Sequence, residues 1–153
     1  MKPIRLVLRA PFEKLAAGTS RFWGNPDLPC GVDYPMYTDD EGDEYPYFFI
    51  CQINLAQLAD AVPDNPLPRT GLLSFFAKID CIGGHISGAD DVRVLYFPTT
   101  EGLDEVILVD DDDNPTNPDE LEITFSREAE PLADEHELFA RPTHREWETW
   151  DPP

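Results

Sequence analysis

The sequence predicts an α+β fold, with a mainly antiparallel β-sheet and a few short helices in a single domain. Three observations carry this prediction. Apolar runs of strand length at residues 47–53, 71–79 and 92–97 are joined by short connections, so neighbouring strands should pair antiparallel. Between the first two runs, residues 54–62 follow helical spacing. Sixteen prolines and nine glycines indicate many turns, which suits this fold better than a helix bundle.

The length and the apolar content fit one domain. A chain of 153 residues can build a single core, and the 41% of hydrophobic residues can furnish it. We predict that residues 1–142 form the domain and that residues 143–153 are a loosely attached tail. Trp147 and Trp150 in the tail indicate some docking.

The predicted strands differ in their patterns. Residues 4–9 alternate, which is typical of a half-buried strand. Residues 47–53 are almost continuously apolar and are expected to be a central strand, buried on both faces. Residues 92–97 alternate and should pair with residues 72–78 as a wide hairpin. Further strands are predicted at residues 105–109 and 121–125, and the residues expected in or near the core are Phe49, Ile50, Leu73, Phe75 and Leu95.

Three helices are predicted. Residues 12–17 lie between Pro11 and Gly18, which favour the start and the end of a short helix. Asn54 is a good N-cap for the helix that follows it. A third helix-like stretch is residues 133–140.

Residues 19–33 are predicted to be irregular. Pro26 and Pro29 lack the N–H that ladder pairing needs, and Phe22 and Trp23 should pin the segment onto the core.

Two amides end the predicted central strand, Gln52 and Asn54. Buried amides must find hydrogen-bond partners. The favoured interpretation is that they hold residues 20–29 in place, and the alternative is that they contact a ligand.

The net charge of −20 is unevenly distributed. Residues 101–153 hold 18 acids and 3 bases, which is −15 of the total. Such a surface repels nucleic acid and anionic membranes and attracts cations or basic proteins. We therefore expect neither nucleic acid nor membrane as a partner; the oligomeric state stays open.

The cysteines and the N-terminus indicate a reducing compartment. Cys30, Cys51 and Cys81 are odd in number and have neither disulfide-framework nor zinc-ligand spacing, so we predict no disulfide among them. No signal peptide is recognised at the N-terminus, and no apolar segment reaches the roughly 18 residues that span a bilayer. The expected location is the cytoplasm.

The acidic run that begins at Asp110 resembles a calcium loop at first sight. Counted from Asp110, the sixth position should be Gly and the twelfth Glu, but they are Pro115 and Leu121. A solvated acidic loop is the better interpretation, and we expect no metal site.

No catalytic constellation is recognised. Cys81 precedes His85 by four residues, but no acid that would orient the histidine is identifiable. His136 and His144 lack the i, i+4 spacing of a helical metal pair. We therefore expect no catalytic residue and no cofactor.

Four segments carry a resemblance to a known family. They are residues 20–29 (SRFWGNPDLP), 48–55 (FFICQINL), 71–76 (GLLSFF) and 92–98 (VRVLYFP). In order and spacing they resemble the N-terminal part of the pattern of the YwqG-like family, bacterial proteins whose biochemical function is not established. Some members occur near polymorphic-toxin genes, so the resemblance implies an immunity-type role.

Two functions are expected from these observations. The first is an acidic protein-binding module that docks a basic toxin or another cationic partner. Its expected binding residues are Asp110, Asp111, Asp112, Asp113, Glu120, Glu135, Trp147 and Trp150. The alternative is a small-ligand-binding protein or an enzyme, with a pocket between residues 22–29 and the sheet. Its candidate residues are Arg21, Phe22, Trp23, Gln52 and Asn54.

Overall fold

The computed structural model describes residues 3–78 and 88–127 of the chain. Nearly all of them belong to one compact unit, Ile4–Ser126; the second unit, Met1–Pro3 with Arg127–Pro153, contributes Pro3 and Arg127 to the described residues. The strands in chain order are β1 Arg5–Arg9, β2 Arg21–Phe22, β3 Asp27–Pro29, β4 Met36–Thr38, β5 Glu44–Pro46, β6 Phe48–Asn54, β7 Leu72–Ala77, β8 Val92–Phe97, β9 Leu103–Glu105 and β10 Leu121–Ser126. Helix α1 is Leu55–Ala61, and a 3-10 turn at Ala89–Asp91 precedes β8.

Six strands form the main sheet, in the spatial order β1-β10-β2-β6-β7-β8. Every neighbouring pair is antiparallel, which confirms the predicted fold class. Strand β6 is central, and β7 pairs with β8 as the predicted hairpin.

The two faces of β6 pack against different clusters. Phe49 pairs with Phe76, and Gln52 pairs with Ser74, two residues earlier in β7. Phe49 and Gln52 therefore share a face of the sheet. This is possible because a β-bulge lies between Phe49 and Cys51. One cluster contains Cys51, Ile53, Leu55, Leu58, Val62 and Ile123, with Ile50, Leu73 and Phe75 packed on it. The other contains Leu28, Tyr47, Phe49 and Phe76, with Leu95 packed on it. The five residues predicted in or near the core therefore lie there.

Helix α1 begins where the sequence predicts. The side chain of Asn54 accepts hydrogen bonds from the backbone N–H groups of Ala56 and Gln57, at 3.0 and 3.2 Å. Leu55 and Leu58 are its buried residues, and they cover β6 and β10. Within residues 3–78 and 88–127, no helix has the length and apolarity that crossing a membrane requires.

Two small sheets complete the described fold. Strand β3 pairs with β9, and β4 pairs with β5, both antiparallel. Through Leu28 and Tyr37 these sheets contribute to the second cluster. The acidic turn that joins β4 to β5 is exposed at residues 40–43, and Asp39 is partly buried.

The helix predicted at residues 12–17 is absent. The backbone N–H of Leu15 donates to Oε1 of Glu120 at 2.8 Å, and the carbonyl of Ala16 accepts from Nη2 of Arg21 at 3.0 Å. Side chains distant in sequence thus take the backbone groups that a helix would have paired internally.

The prediction that the prolines exclude pairing in residues 19–33 was also wrong. Pro29 lies opposite Leu103 in the β3–β9 ladder, and the carbonyl of Pro26 accepts from Val106 N at 2.9 Å. Proline loses its donor but keeps its acceptor, so it is tolerated at the ends of short edge strands.

Two strand predictions need correction in detail. The strand predicted at residues 105–109 ends at Glu105, because β3 supplies three residues for pairing. Strand β1 forms, but it has no buried face. Leu6 and Leu8 on one face and Val7 on the other are all 41–43% exposed. It is the outermost strand of the sheet, and α1 packs over β6 and β10 instead.

Several predictions concern residues outside the described ones. The helix at residues 133–140, the tail at 143–153, Glu135, Trp147, Trp150, Cys81 and the three histidines lie there, and the domain boundary stays a prediction. Cys30 and Cys51 are described, and both are free thiols, as predicted.

Candidate functional site

A buried ion pair organises the loop that follows β2. Nη2 of Arg21 lies 2.9 Å from Oδ2 of Asp27, and each side chain is 1% exposed. Nη1 of Arg21 donates to the carbonyl of Asn25 at 2.9 Å, so the guanidinium also fixes the turn between the two partners. A buried charge pair of this kind is maintained because both members are also hydrogen-bonded.

Gln52 connects this pair to the central strand. Its Nε2 donates to Oδ2 of Asp27 and to the carbonyl of Thr19, both at 2.8 Å. Its Oε1 accepts from the backbone N–H of Asp27 at 3.0 Å. The amide is fully buried and has both donors and its oxygen engaged.

Asn54 and Ser20 fasten the start of the same loop. Nδ2 of Asn54 donates to the carbonyl of Gly18 at 2.7 Å, and the backbone N–H of Asn54 donates to Oγ of Ser20 at 2.8 Å. The interpretation that the two amides hold residues 20–29 in place is confirmed for Gln52, which binds Asp27, whereas the side-chain amide of Asn54 binds Gly18, just before that segment. The side-chain oxygen and nitrogen atoms of Gln52 and Asn54 make hydrogen bonds within the protein. A role of these residues in binding a ligand stays a prediction.

Phe22 and Trp23 lie at the bend of the loop. Their ring centroids are 5.0 Å apart, and Phe22 packs on the cluster beneath α1. Trp23 has a φ of +58°, and its backbone N–H donates to the carbonyl of Ile50 at 2.8 Å. Gly24 follows with a φ of +72°, and a Cβ there would lie 2.6 Å from Cβ of Glu120. Only glycine fits this close approach.

A polar pocket of about 240 Å³ opens beside Gly24. One wall is formed by Gly24 and Asn25, and a second by Pro115, Asn117, Pro118, Asp119 and Glu120. The backbone N–H of Gly24 donates to the carbonyl of Pro118 at 3.0 Å, which joins the two walls. Lys14 and Glu105 complete the lining.

The walls are connected by side-chain hydrogen bonds. Glu105 accepts from Lys14 through Oε2 at 2.5 Å and from Nδ2 of Asn25 through Oε1 at 2.9 Å. Nδ2 of Asn117 donates to Oδ1 of Asn25 at 3.2 Å. The hydrogen bond and the charge of Glu105 raise the pKa of Lys14, and the hydrogen bonds from Lys14 and Asn25 lower the pKa of Glu105. Both groups therefore remain charged over the physiological pH range.

The acidic run that begins at Asp110 forms an ordered loop. Oδ1 of Asp110 accepts from the backbone N–H groups of Asp112 and Asn114, at 2.9 and 3.0 Å. These hydrogen bonds lower the pKa of Asp110, with that from Asn114 the larger cause. The loop continues directly into Pro115, the first residue of the pocket wall.

The turn between β4 and β5 has the same construction. Oδ1 of Asp39 accepts from the N–H groups of Glu41 and Asp43, both at 2.9 Å. The fourth residue has a positive φ in each loop: +87° at Gly42 and +63° at Asp113. The chain thus uses one local design for two exposed acidic loops.

Among the described residues, one group of three acids brings its carboxylate oxygens within 4.8 Å of one another: Asp39, Glu41 and Asp43. Glu41 and Asp43 are exposed, and Oδ1 of Asp39 is taken by the turn itself. The geometry of the turn accounts for the proximity of the three carboxylates without a metal ion.

The structure separates the residues predicted as sites. Glu120 lines the pocket, while Asp110, Asp111, Asp112 and Asp113 form the adjoining loop. Of the predicted ligand-pocket residues, Arg21 and Gln52 are buried in the network below. Sequence reasoning missed Lys14, Glu105, Asn25, Asn117 and Asp119, which come from four separate parts of the chain and show no spacing that links them.

Comparison with known proteins yields a match to one family model. No curated protein matches the chain. A family model matches residues 20–151, a range that includes the buried network, both acidic loops and all of the pocket except Lys14. This match covers most of the chain, which therefore belongs to the family described as Domain of unknown function (DUF1963).

Proposed function

We propose that this protein is an acidic protein-binding module that docks a basic partner. The observation that carries the proposal is the charge of residues 101–126, which contain ten acids and no lysine, arginine or histidine. Four of those acids, Asp110, Asp111, Asp112 and Asp113, form the exposed loop beside the pocket. A surface of one sign attracts partners of the opposite sign and rejects those of its own.

The charge exceeds what solubility requires. A net charge of about 2 to 8 in magnitude keeps a small domain in solution, and this chain carries −20. Concentrating like charges costs self-repulsion, which salt screens only beyond a Debye length of about 8 Å. A basic partner would relieve that repulsion, which is why we favour docking over solubility as the role of the charge.

The resemblance to the YwqG-like family supports a narrower form of the proposal. Under it, the protein is a bacterial immunity-type protein that binds a cationic toxin in the cytoplasm. Trp147 and Trp150 would anchor the complex, with Glu135 adding to the acidic surface.

The test measures association with a basic protein encoded beside this chain's gene. The variant replaces Asp110, Asp111, Asp112 and Asp113 by Asn, which keeps an acceptor oxygen at each position. Association should slow at low salt and lose much of its salt dependence, while dissociation changes less.

The second acidic loop provides a matched control. Replacing Asp39, Asp40 and Asp43 by Asn and Glu41 by Gln removes the same charge from a loop of the same construction. This variant should retain most of the association rate. If the unchanged protein and the two variants bind equally at high and at low salt, the acidic surface serves solubility and does not dock the partner.

The pocket beside Gly24 favours a second candidate function, the binding of a small ligand. Its volume of about 240 Å³ lies below the roughly 300–1,000 Å³ of drug-sized sites. A single side chain or a comparably small molecule fits it better than a nucleotide.

A further inference from the structure

Each side-chain donor group that lines the pocket makes one hydrogen bond within the protein. Lys14 donates to Glu105, Nδ2 of Asn25 donates to the same carboxylate, and Nδ2 of Asn117 donates to Asn25. The backbone N–H of Gly24 donates to Pro118. Lys14 and the amide groups of Asn25 and Asn117 keep further N–H bonds, so it is the charge of the site, rather than a lack of donors, that disfavours an anion.

The acceptors of the pocket are less used. Oε1 of Glu120 accepts from Leu15 N, whereas Oε2 has, within the part of the chain that the structure describes, only a long ion pair of 3.7 Å to Arg21. Oδ1 of Asn117 accepts no hydrogen bond among the described residues, and Asp119 makes none there and no ion pair. The wall at residues 117–120 therefore offers several acceptor oxygens that make few contacts with the described residues.

The charged side chains around the pocket have a net negative charge. Lys14 is neutralised by Glu105, and Arg21 by Asp27. Asp119 and Glu120 remain, so two negative charges face a pocket whose cations are already paired.

We infer that the pocket receives an arginine side chain of the basic partner, an inference that rests on the proposed function. The pocket, with a volume of about 240 Å³, is large enough for the side chain of one arginine. The guanidinium is planar and has five donors, so it can donate to Asp119, to Oε2 of Glu120 and to Oδ1 of Asn117 together. A lysine ammonium is a compact, strongly hydrated point charge without this planar fork, so it should bind here less tightly.

The test titrates the full chain with small probes that need no partner. N-acetyl-arginine amide is compared with N-acetyl-lysine amide and with the neutral isostere N-acetyl-citrulline amide, and backbone amides are followed by NMR at low salt. Saturable shifts at Gly24, Asn25 and Asn117 are expected with the arginine probe, weaker ones with lysine and none with citrulline. Equal binding of citrulline and arginine, or shifts confined to residues 110–113, would overturn the inference.

A matched pair of variants separates the pocket from general charge. Asp119→Asn and Asp111→Asn each remove one exposed carboxylate, but only Asp119 lines the pocket. Asp119→Asn should weaken the arginine probe about threefold to fivefold, as expected for one exposed ion pair, and Asp111→Asn should leave it unchanged. An equal effect of both variants would show attraction to the surface rather than a built pocket.

The partner experiment distinguishes failure of this inference from failure of the proposed function. If the basic partner binds through the acidic loop while Asp119→Asn has no effect on its dissociation, the pocket inference fails alone. If the arginine probe occupies the pocket and the acidic loop has no effect on any basic protein, the docking function fails alone.

Discussion

Arg21 and Asp27 form an ion pair of 2.9 Å in which both side chains are almost completely buried. The same oxygen of Asp27 also accepts from the backbone N–H of Gly18 and from Gln52, both at 2.8 Å. Nε of Arg21 has no partner among the described residues. The buried guanidinium of Arg21 therefore depends on Asp27 to compensate its charge.

Asp27→Asn should be strongly destabilising. It leaves the buried Arg21 guanidinium with the longer ion pair of 3.7 Å to Glu120, which compensates the charge less well. Removing one member of a buried pair costs about 3–5 kcal/mol. The free energy of unfolding, measured by urea titration, should fall by that amount.

An exposed ion pair provides the control. Arg9 and Glu122 lie 3.0 Å apart, with side chains that are 63% and 27% exposed. Glu122→Gln should cost less than about 1 kcal/mol. If the two substitutions cost the same, the buried pair does not have the role assigned to it.

Phe76→Ala and Phe75→Ala test the division of the core. Phe76 is 1% exposed within the cluster around Phe49, so its truncation should cost roughly 3–5 kcal/mol. Phe75 lies on the opposite face and is only partly buried, so its truncation should cost less, about 2 kcal/mol. Urea unfolding of both variants measures the difference, and a larger loss at Phe75 would contradict the assignment of the faces.

The sequence predicted the central part of the fold because its signals there are local. The apolar run of β6, the N-cap Asn54 and the alternation of β8 each depend on a few adjacent residues. The structure confirms all three. The pairing order also agrees with the prediction, since strands that follow one another in the chain are usually neighbours in a sheet.

The sequence failed where distant residues compete for backbone groups. The predicted helix at 12–17 is lost to Glu120 and Arg21, and Pro29 pairs because Leu103 lies opposite it. The local sequence around residues 12–17 and around Pro29 contains no signal that predicts these distant partners. The pocket escaped prediction for the same reason: Lys14 and Glu105 meet across 91 residues of sequence.

The two described thiols should differ in reactivity. Burial raises the pKa of Cys51 to about 11, so at pH 8 only about one molecule in a thousand carries the reactive thiolate. Cys30 is exposed. Iodoacetamide should modify Cys30 in the native protein and Cys51 only after denaturation, as read from the mass of each cysteine peptide. Equal modification of both, or a peptide pair joined by a disulfide, would contradict this prediction.

The acidic loop should lose its order in acid with a midpoint set by Asp110. The backbone N–H groups of Asn114 and Asp112 favour the carboxylate form, which lowers the pKa of Asp110 in the folded loop. A group whose folded pKa lies below its unfolded value stabilises the fold above the unfolded pKa. That contribution is lost as the pH falls through the folded pKa.

The measurement is an NMR titration of the amides of Asp112 and Asn114 from about pH 6 to about pH 2, and the midpoint should lie below the ordinary value of about 3.9. Asp110→Asn keeps the acceptor oxygen but cannot titrate, so its loop amides should show no such transition. Asp111→Asn should retain the transition, since Asp111 accepts neither of these hydrogen bonds. A midpoint at or above 3.9, or an unchanged transition in Asp110→Asn, would mean that another carboxyl group controls the loop.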